Sequence, residues 1–446
     1  MHLDRQYGVI VKYKKLKCPK QNLNIFLTQE RYDFRMSFSD VGQYTQYVIK
    51  KATEVAEKCG PRAACSEGDR KARKFFLRDT KELCDEAWIE DFRCSDKAFM
   101  SWVSVGAVLM ITAIILFVFG MPVISLALTL ITVFFIVSEF FFYKKTLDVF
   151  FKKKDTGNVI GKIKSSGETK RRIILCGHTD SAFEWTYTYH GGRPAVATII
   201  VSAVIAIVVA LAGSITAIAT KGLWTPSLVF SQGNTAVTVF AILMLCIAPF
   251  LVAAFFFCNF NRPVVGANDN LTGCYIALAV AKYLKDNNIS LENTEIQIAL
   301  VGGEECGLRG SKDFAKRHKD EFTDKNVETI AVAVDTIHDI DFMKIILGDM
   351  NGTVKNDKRV ADLIKESAHN AGFDNVAVGT IDLGSTDAAA FSQAGIPAAS
   401  FIAMDPTPAR YYHTRLDTAE ILDEEAIEAG FKITLETVLQ FDKNGI

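Results

Sequence analysis

Two adjacent carboxylates stand at the centre of the stretch Val301-Gly302-Gly303-Glu304-Glu305-Cys306-Gly307-Leu308-Arg309-Gly310-Ser311. The alternating apolar run 295–300 before it predicts a strand, the paired glycines break that strand, and the polar residues 311–319 predict a helix. Successive side chains at a strand end point to opposite faces, so one carboxylate can face a metal while its neighbour faces a water on that metal. An isolated Glu pair more commonly belongs to a solvated turn, so the metal-site interpretation depends on the rest of the chain.

The composition excludes several classes of protein. The 446 residues carry a net charge of −1, so no overall field favours a nucleic-acid partner. The ten cysteines lack Cys-x-x-Cys spacing, which argues against a disulfide framework or a thiolate zinc site and favours a reducing compartment. Residues 1–38 do not resemble a signal peptide, and we interpret them as an N-terminal arm of uncertain order.

Four long apolar runs interrupt the chain in two pairs. Each run is long enough to span the hydrocarbon core of a bilayer, and the link within each pair is too short to be a domain. The pairs therefore predict two transmembrane helical hairpins and a lipid bilayer as a partner, rather than four buried core helices. The runs are 102–119 and 123–142 in hairpin 101–143, and 195–220 and 236–257 in hairpin 195–257.

Basic residues flank the hairpins on one side. The exit of the first hairpin carries five lysines between positions 144 and 154, and Arg193 and Arg262 bracket the second hairpin. The links inside the hairpins carry a single charge, Lys221. Because excess Lys and Arg mark the cytoplasmic side, we expect a multi-pass protein of the cell membrane whose polar segments all face the cytoplasm.

Outside the hairpins, predicted strands alternate with predicted helices. This pattern indicates an α/β fold, with a mixed, mostly parallel central sheet and helices on both faces. Ligands of such sheets bind beyond the carboxyl ends of the strands. His178, the pair Glu304 and Glu305, and Asp335 each follow a predicted strand, so we expect them to converge.

Six acidic and imidazole side chains are candidate metal ligands. Two imidazoles with several carboxylates form a nitrogen and oxygen donor set that suits zinc, and to a lesser degree cobalt or manganese. The candidates are His178, Asp180, Asp269, Glu305, Asp335 and His413. We interpret the other five histidines, which are His2, His190, His318, His338 and His369, as surface residues.

Five segments in order resemble the co-catalytic di-zinc aminopeptidase family, whose relatives include glutamate carboxypeptidases, glutaminyl cyclases and the transferrin receptor. Any one segment is weak, but their order and spacing fit from about residue 41 to the C-terminus, apart from the two hairpins. The resemblance implies a zinc exopeptidase-like fold, with a peptidase domain formed by residues 39–100, 144–194 and 258–446. The segments are His178-Thr179-Asp180-Ser181, Gly266-Ala267-Asn268-Asp269-Asn270, residues 303–311, Val334-Asp335, and Tyr412-His413-Thr414-Arg415-Leu416-Asp417-Thr418.

The resemblance also implies a role for each residue, and two zinc ions as cofactors. Asp269 bridges the two metals, and the peptide that follows it is expected to be strained. Glu304 is the general base, Asp180 accepts the second ring N–H of a metal ligand, and Tyr412, with Tyr411 as a less certain choice, donates to the tetrahedral intermediate. The remaining ligands are His178 and Asp335 on one metal, and Glu305 and His413 on the other.

The predicted function is therefore that of a membrane-anchored zinc aminopeptidase, which removes N-terminal residues from short peptides through a metal-bridging water. Three alternatives stay open at this point. They are a single-zinc acyltransferase of the glutaminyl cyclase type, a carboxypeptidase of the same family, and a non-catalytic receptor or transporter component. The carboxypeptidase would need an arginine for a terminal carboxylate, for which Arg309, Arg410 and Arg415 are candidates.

Two further segments are expected to lie near the cleft. The second hairpin is inserted between His178 and Asp269, so residues 181–193 and 259–265 are predicted to form a juxtamembrane rim over the site. Ser385-Thr386-Asp387 precedes a short apolar run and is interpreted as a helix cap or as part of the substrate pocket.

Overall fold

A mixed β-sheet with helices on both faces forms the larger part of the molecule. The computed structural model describes residues 41–381, 383–407 and 409–446, so the predicted arm 1–38 lies outside the described residues. The strands are β1 Glu86–Cys94, β2 Lys154–Ile163, β3 Arg171–His178, β4 Phe183–Trp185, β5 Cys258–Pro263, β6 Thr294–Val301, β7 Glu328–Ile337, β8 Met343–Asp349, β9 Val354–Lys355, β10 Ala377–Thr380 and β11 Ala398–Ala403.

The helices divide between the two faces of this sheet and an apolar bundle. They are α1 Gly42–Cys59, α2 Glu67–Leu83, α3 Ser101–Val118, α4 Pro122–Phe135, α5 Thr186–Lys221, α6 Thr235–Phe255, α7 Thr272–Asp286, α8 Arg309–Arg317, α9 Lys319–Phe322, α10 Lys358–Asn370, α11 Asp387–Ala394 and α12 Glu424–Asn444. Helix α4 continues as a π-helical stretch, Ile136–Phe141.

The sheet brings the candidate site together because its four central strands are parallel. The strand order is β1-β2-β6-β3-β7-β11-β8-β10, with β9 paired to β8. Strands β6, β3, β7 and β11 run parallel to one another, while β2 and β8 flank them in the antiparallel sense. His178 is level with Val301 in the register of β3 and β6. The carboxyl ends of β3 and β6 therefore open at the same edge, where ligands of such sheets bind.

Apolar side chains hold the helices on the two faces. On one face, α7 lies between the sheet and helices α1 and α12, and most of its residues are buried. On the other face, Phe314 of α8 and Phe391 of α11 pack with the buried side of the central strands. Each fully buried phenylalanine stabilises the fold by about 1.5–3 kcal/mol relative to an exposed one.

The four apolar helices α3, α4, α5 and α6 form a bundle of their own. Helix α3 packs on α4 and α6, and α5 packs on the same two helices. Small residues such as Ala206, Ala210 and Ala241 line the bundle core, which allows the helices to approach closely. Large apolar side chains such as Ile115, Val201 and Ile215 are exposed on the outside. By length and composition, all four helices are candidate membrane spans.

The two hairpin turns lie at the same end of the bundle. The main-chain N–H of Thr225, in the second turn, donates to the main-chain oxygen of Gly120, in the first, at 3.1 Å. The other end of the bundle meets the sheet domain. The two hairpins therefore form one structural unit rather than two separate anchors.

Most predicted elements are observed, but three boundaries differ. Helix α5 begins at Thr186 instead of residue 195 and continues through Pro194, with a single non-helical residue at Gly192 (φ 56°, ψ −152°). The helix predicted for residues 311–319 begins earlier, at Arg309, and ends at Arg317. Asp335 lies inside β7 rather than after it.

Candidate active site

A first cluster of donors forms where β3 and β7 approach the loop before α7. His178 is the last residue of β3 and is 1% exposed. Its Nε2 atom lies 3.0 Å from Asp269 Oδ1 and 3.5 Å from Asp335 Oδ1. The three side chains form one of the groups that could hold a metal ion.

A second cluster shares Asp269 with the first. His413 Nε2 lies 3.1 Å from Asp269 Oδ2 and 3.2 Å from Glu305 Oε1, and these three residues form another potential metal group. The two carboxylate oxygens of Asp269 thus face imidazoles of different clusters. This is the placement that a bridging carboxylate needs.

The donor spacing fits zinc. Ligands at zinc bond lengths of about 2.0–2.1 Å in a tetrahedral site lie about 3.3 Å apart, and the nitrogen–oxygen distances in both clusters are 3.0–3.5 Å. Glu305 Oε1 is buried and makes no hydrogen bond with the residues that the structure describes. A buried carboxylate oxygen without a hydrogen bond is costly unless a cation faces it. The residues present therefore fit a zinc ion in each cluster.

Hydrogen bonds fix the loop that carries Asp269. Asp417 accepts from the main-chain N–H groups of Asn268 and Asp269 at 2.8 and 3.1 Å, and Asn270 donates to Val334 in β7. Arg62, which is fully buried, donates to three carbonyl oxygens, two of them at Val265 and Gly266. The peptide bond between Asp269 and Asn270 is cis.

The contact predicted between Asp180 and a ligand histidine differs in detail. His178 Nδ1 lies 3.1 Å from the main-chain oxygen of Asp180, whereas the nearer carboxylate oxygen is 3.8 Å away. The carboxylate instead accepts the main-chain N–H groups of Glu304 and Glu305, at 3.1 and 3.3 Å. The main-chain oxygen of Asp180 therefore orients the imidazole of His178, and its carboxylate holds the loop that carries Glu304 and Glu305.

The two neighbouring tyrosines are distinguished by their partners. The hydroxyl of Tyr411 donates to Asp339 at 2.8 Å. The ring of Tyr412 stacks on the ring of His413, with 3.9 Å between centroids. Tyr412 is therefore the tyrosine that lies against the second cluster.

Charges inside the site shift several pKa values. Burial alone would raise the pKa of Asp269, but His178 and His413 lower it. Burial alone would lower the pKa of His413, but Glu305 and Asp269 raise it to about 10. Burial also raises the pKa of Glu304, with Glu305 adding to the effect and His178 opposing it. Protonated imidazoles thus compensate the carboxylates, and bound cations would take over this compensation.

Two other sequence interpretations were right only in part. Thr386 stands at the N-cap of α11 but makes no side-chain cap bond, because its hydroxyl donates to Asp349 at 2.6 Å. His318 and His338 are partly buried, not surface residues, and His318 lies between Glu90 and Glu321. His190 and His369 are exposed, as predicted, and His2 lies outside the described residues.

The predicted rim forms a small sheet beside the second cluster. Strand β4 pairs with β5, and Trp185 at the end of β4 meets the ring of His413 edge-on at 4.6 Å. Glu184, Arg62 and Asp417 received no role from the sequence. Asp417 lies inside the recognised segment 412–418 and Glu184 lies shortly after the segment 178–181, but nothing in the pattern showed which groups they would bind.

Comparison with known proteins agrees with this geometry. Residues 252–438 match the family model described as Peptidase family M28. The matched residues make up less than half of the chain, so the chain resembles this family over its C-terminal part. Aminopeptidase YwaD from Bacillus subtilis (strain 168) is 28% identical over 178 residues, which cover 38% of this chain. That match spans only 36% of the relative's own length.

Solved structures share the fold of this chain. A zinc aminopeptidase from Bacillus subtilis superimposes with a TM-score of 0.53 at 14% identity, covering 89% of this chain and 95% of that one. A glutaminyl cyclase from an Acidobacteriales bacterium gives a TM-score of 0.52 at 15% identity, covering 90% and 96%. These similarities show a zinc exopeptidase-like α/β fold, as expected from the sequence.

Proposed function

We propose that this chain is a membrane-anchored, zinc-dependent exopeptidase that removes N-terminal residues from short peptides. One observation carries the proposal. The two oxygens of Asp269 face His178 and His413, 3.0 and 3.1 Å away, in two clusters that share this carboxylate. The M28 match and the aminopeptidase relative support the same activity.

Each cluster would hold one zinc ion. His178 and Asp335 complete the first site, and Glu305 and His413 complete the second, with Asp269 common to both. When bound, the ions supply Lewis-acid activation of a water and of the scissile carbonyl.

The side chains around the ions would transfer protons and stabilise the negative charge that develops on the oxyanion. The carboxylate of Glu304 belongs to a group of close donors with His178 and Glu305. It is therefore placed to take a proton from the attacking water and to return it to the leaving amine. Burial, with Asp269 adding, holds the pKa of Tyr412 well above its usual value. Its hydroxyl accordingly stays protonated and can donate to the developing oxyanion.

A carboxypeptidase activity is less well supported by the arginines. Arg309 is 1% exposed and lies 2.9 Å from Asp148. Arg415 makes two 2.6 Å contacts with Glu184. Both guanidinium groups are thus engaged within the chain, and of the three candidates only Arg410 is exposed. The two-cluster geometry also favours a two-metal peptidase over a single-zinc cyclase.

The bundle would anchor the peptidase domain in the cell membrane. The proposed domain consists of residues 39–100, 144–194 and 258–446, with hairpins 101–143 and 195–257 in the bilayer. The basic flanks of the hairpins support a cytoplasmic position for this domain. Protease added to intact cells should then leave the domain uncut, whereas protease added to inverted membrane vesicles should cleave it. The opposite pattern would refute the orientation.

Activity assays on the detergent-purified chain test the function. We expect hydrolysis of amino-acid amides and free-amine peptides but not of N-blocked peptides. Activity should be lost with a chelator and restored by Zn²⁺, and metal analysis should find about two zinc ions per chain. Cyclisation of N-terminal Gln peptides with one zinc per chain would establish the cyclase instead. Cleavage of N-blocked peptides at a free carboxyl end would establish the carboxypeptidase.

A further inference from the structure

The two metal clusters are supported in different ways. His178 and Asp335 of the first cluster lie on central strands of the sheet. The ring of His178 is also oriented by the hydrogen-bonding contact of its Nδ1 atom with Asp180. The second cluster takes Glu305 and His413 from segments between the helices and strands. Its geometry therefore depends on whatever packs behind those segments.

His413 is oriented by aromatic rings. Its Nδ1 atom is buried and has no hydrogen-bond partner within the described part of the chain, although a ligand imidazole usually donates from its second nitrogen. The ring instead lies against Tyr412 on one side and meets Trp185 edge-on, with interplanar angles of 22° and 87°. The main-chain N–H of Trp185 also donates to the main-chain oxygen of His413 at 2.8 Å. Beside the carboxylates of Asp269 and Glu305, which face its Nε2 atom, Trp185 is thus a contact that orients the ring of this ligand from outside its own segment.

Trp185 lies where the second hairpin meets the sheet domain. It immediately precedes α5, and its ring packs on Phe257 at 5.1 Å, just after the end of α6. The neighbouring Glu184 is 1% exposed. Its carboxylate accepts two hydrogen bonds from the guanidinium group of Arg415, two residues after His413. The segment around His413 is therefore fastened to the point where the second hairpin meets the sheet domain.

Glu305 is supported by the first hairpin in the same manner. The main-chain N–H of Arg309 donates to Gly303 in the loop of the Glu pair, at 2.8 Å. Its guanidinium binds Asp148, a buried residue that follows the first hairpin, at 2.9 Å. Lys312, one turn further along α8, donates to the main-chain oxygen of Tyr143 at 2.9 Å. The loop of Glu305 therefore rests on the exit of the first hairpin.

We propose that Trp185, Glu184 and Asp148 are positioning residues that couple the second zinc site to the apolar bundle. Each hairpin holds one of the two ligands that are unique to this site, while the sheet holds the first site. Zinc affinity of the second site then depends on docking of the bundle. This inference rests on the two-metal site of the proposed function and adds a dependence on the membrane segments.

Single-site backgrounds measure the two affinities separately. Asp335→Asn removes a ligand of the first cluster and leaves the second, and Glu305→Gln does the reverse. In each background, Zn²⁺ alone is titrated into the metal-stripped full chain in lipid nanodiscs, against a chromophoric chelator. Trp185→Leu is then introduced, with Trp185→Phe as the conservative variant because it keeps an aromatic edge toward His413.

A matched ion pair provides the control. Glu184→Gln and Glu295→Gln both neutralise a buried glutamate that binds an arginine, at 2.6 and 2.7 Å. Glu295, however, lies near the start of β6, at the edge of the sheet opposite the site. Asp148→Asn tests the first hairpin in the same way.

We expect Trp185→Leu, Glu184→Gln and Asp148→Asn to weaken Zn²⁺ binding about 10–100-fold in the second-site background. In the first-site background, the change should stay below about threefold, because a large loss of affinity requires contact with the groups that support the ligands of that site. Trp185→Phe and Glu295→Gln should bind Zn²⁺ with nearly the affinity of the parent protein in both backgrounds. Equal losses at both sites, or an unchanged second site, would overturn the coupling. If the parent second-site background binds no zinc, the two-metal function fails first, and separately.

Discussion

Replacement of Glu304 by glutamine separates catalysis from metal binding. The side chain keeps its size, and the main-chain N–H of residue 304 still donates to Asp180, at 3.1 Å in the wild type. Its carbonyl oxygen still accepts from the main-chain N–H groups of Gly307 and Leu308. The loop should therefore hold Glu305 in place, and both zinc ions should remain bound.

The expected loss is in the rate constant. A positioned general base contributes about 10²–10⁴-fold to the chemical step, which corresponds to about 3–5 kcal/mol of transition-state stabilisation. A glutamine amide cannot accept the proton of the attacking water. Because the base acts in the transition state, kcat and kcat/KM should fall together while KM changes little.

Steady-state kinetics and metal analysis on the same preparation measure the rate constant and the zinc content of the variant. Glu305→Gln is the matched control, since it alters the adjacent carboxylate and should lose a zinc ion along with activity. A Glu304→Gln enzyme that keeps both zinc ions and more than a tenth of the wild-type kcat would refute the role of Glu304. Loss of zinc from that variant would instead make the carboxylate a ligand.

Three further outcomes follow from the structure. Gly310→Ala should destabilise the fold by about 1–3 kcal/mol or more, because its Cβ atom would lie 2.2 Å from the main-chain oxygen of Gly302; an unchanged Tm would contradict this. His318 has its pKa raised to about 9 by hydrogen bonds from its ring to Glu321 and Glu90. Its stabilising effect is therefore complete below about pH 6.5 and is lost as the pH rises through 9, by about 1 kcal/mol once solvent screening is included; His318→Gln should remove that part of the pH dependence of Tm. Zinc at about a thousand times its Kd should stabilise the metal-stripped chain by about 4 kcal/mol, and a Tm insensitive to zinc would argue against a native metal site.

The sequence was sufficient for the regular elements and for the positions of the metal donors. Strand β6 follows clear apolar alternation, and its observed bounds lie within one residue of the predicted run 295–300. His178 and Glu305 could be found because they lie at or just after the end of a strand predicted from its apolar pattern, and the other donors because they lie in segments that resemble those of a known family. Parallel strands then bring residues as distant as His178 and Asp335 to one edge.

The sequence alone could not predict tertiary contacts or the directions of individual side chains. Asp180 was expected to bind an imidazole with its carboxylate, but its carboxylate and main chain have separate partners. The apolar run 195–220 predicted that α5 begins at residue 195, yet the helix begins at Thr186, whose main-chain N–H donates to the main-chain oxygen of Phe257. Thr386 binds Asp349 instead of its own helix. In each case a tertiary contact, which no local pattern encodes, decided the outcome.

The order of strands in the sheet determines when the sheet can be completed during synthesis of the chain. Strand β3 lies between β6 and β7, and both of these are translated after the second hairpin. A ribosome must therefore deliver all four apolar helices before the middle of the sheet can close around His178. If these helices enter the lipid during translation, as the proposed anchoring requires, the site around His178 would be completed only after they are integrated.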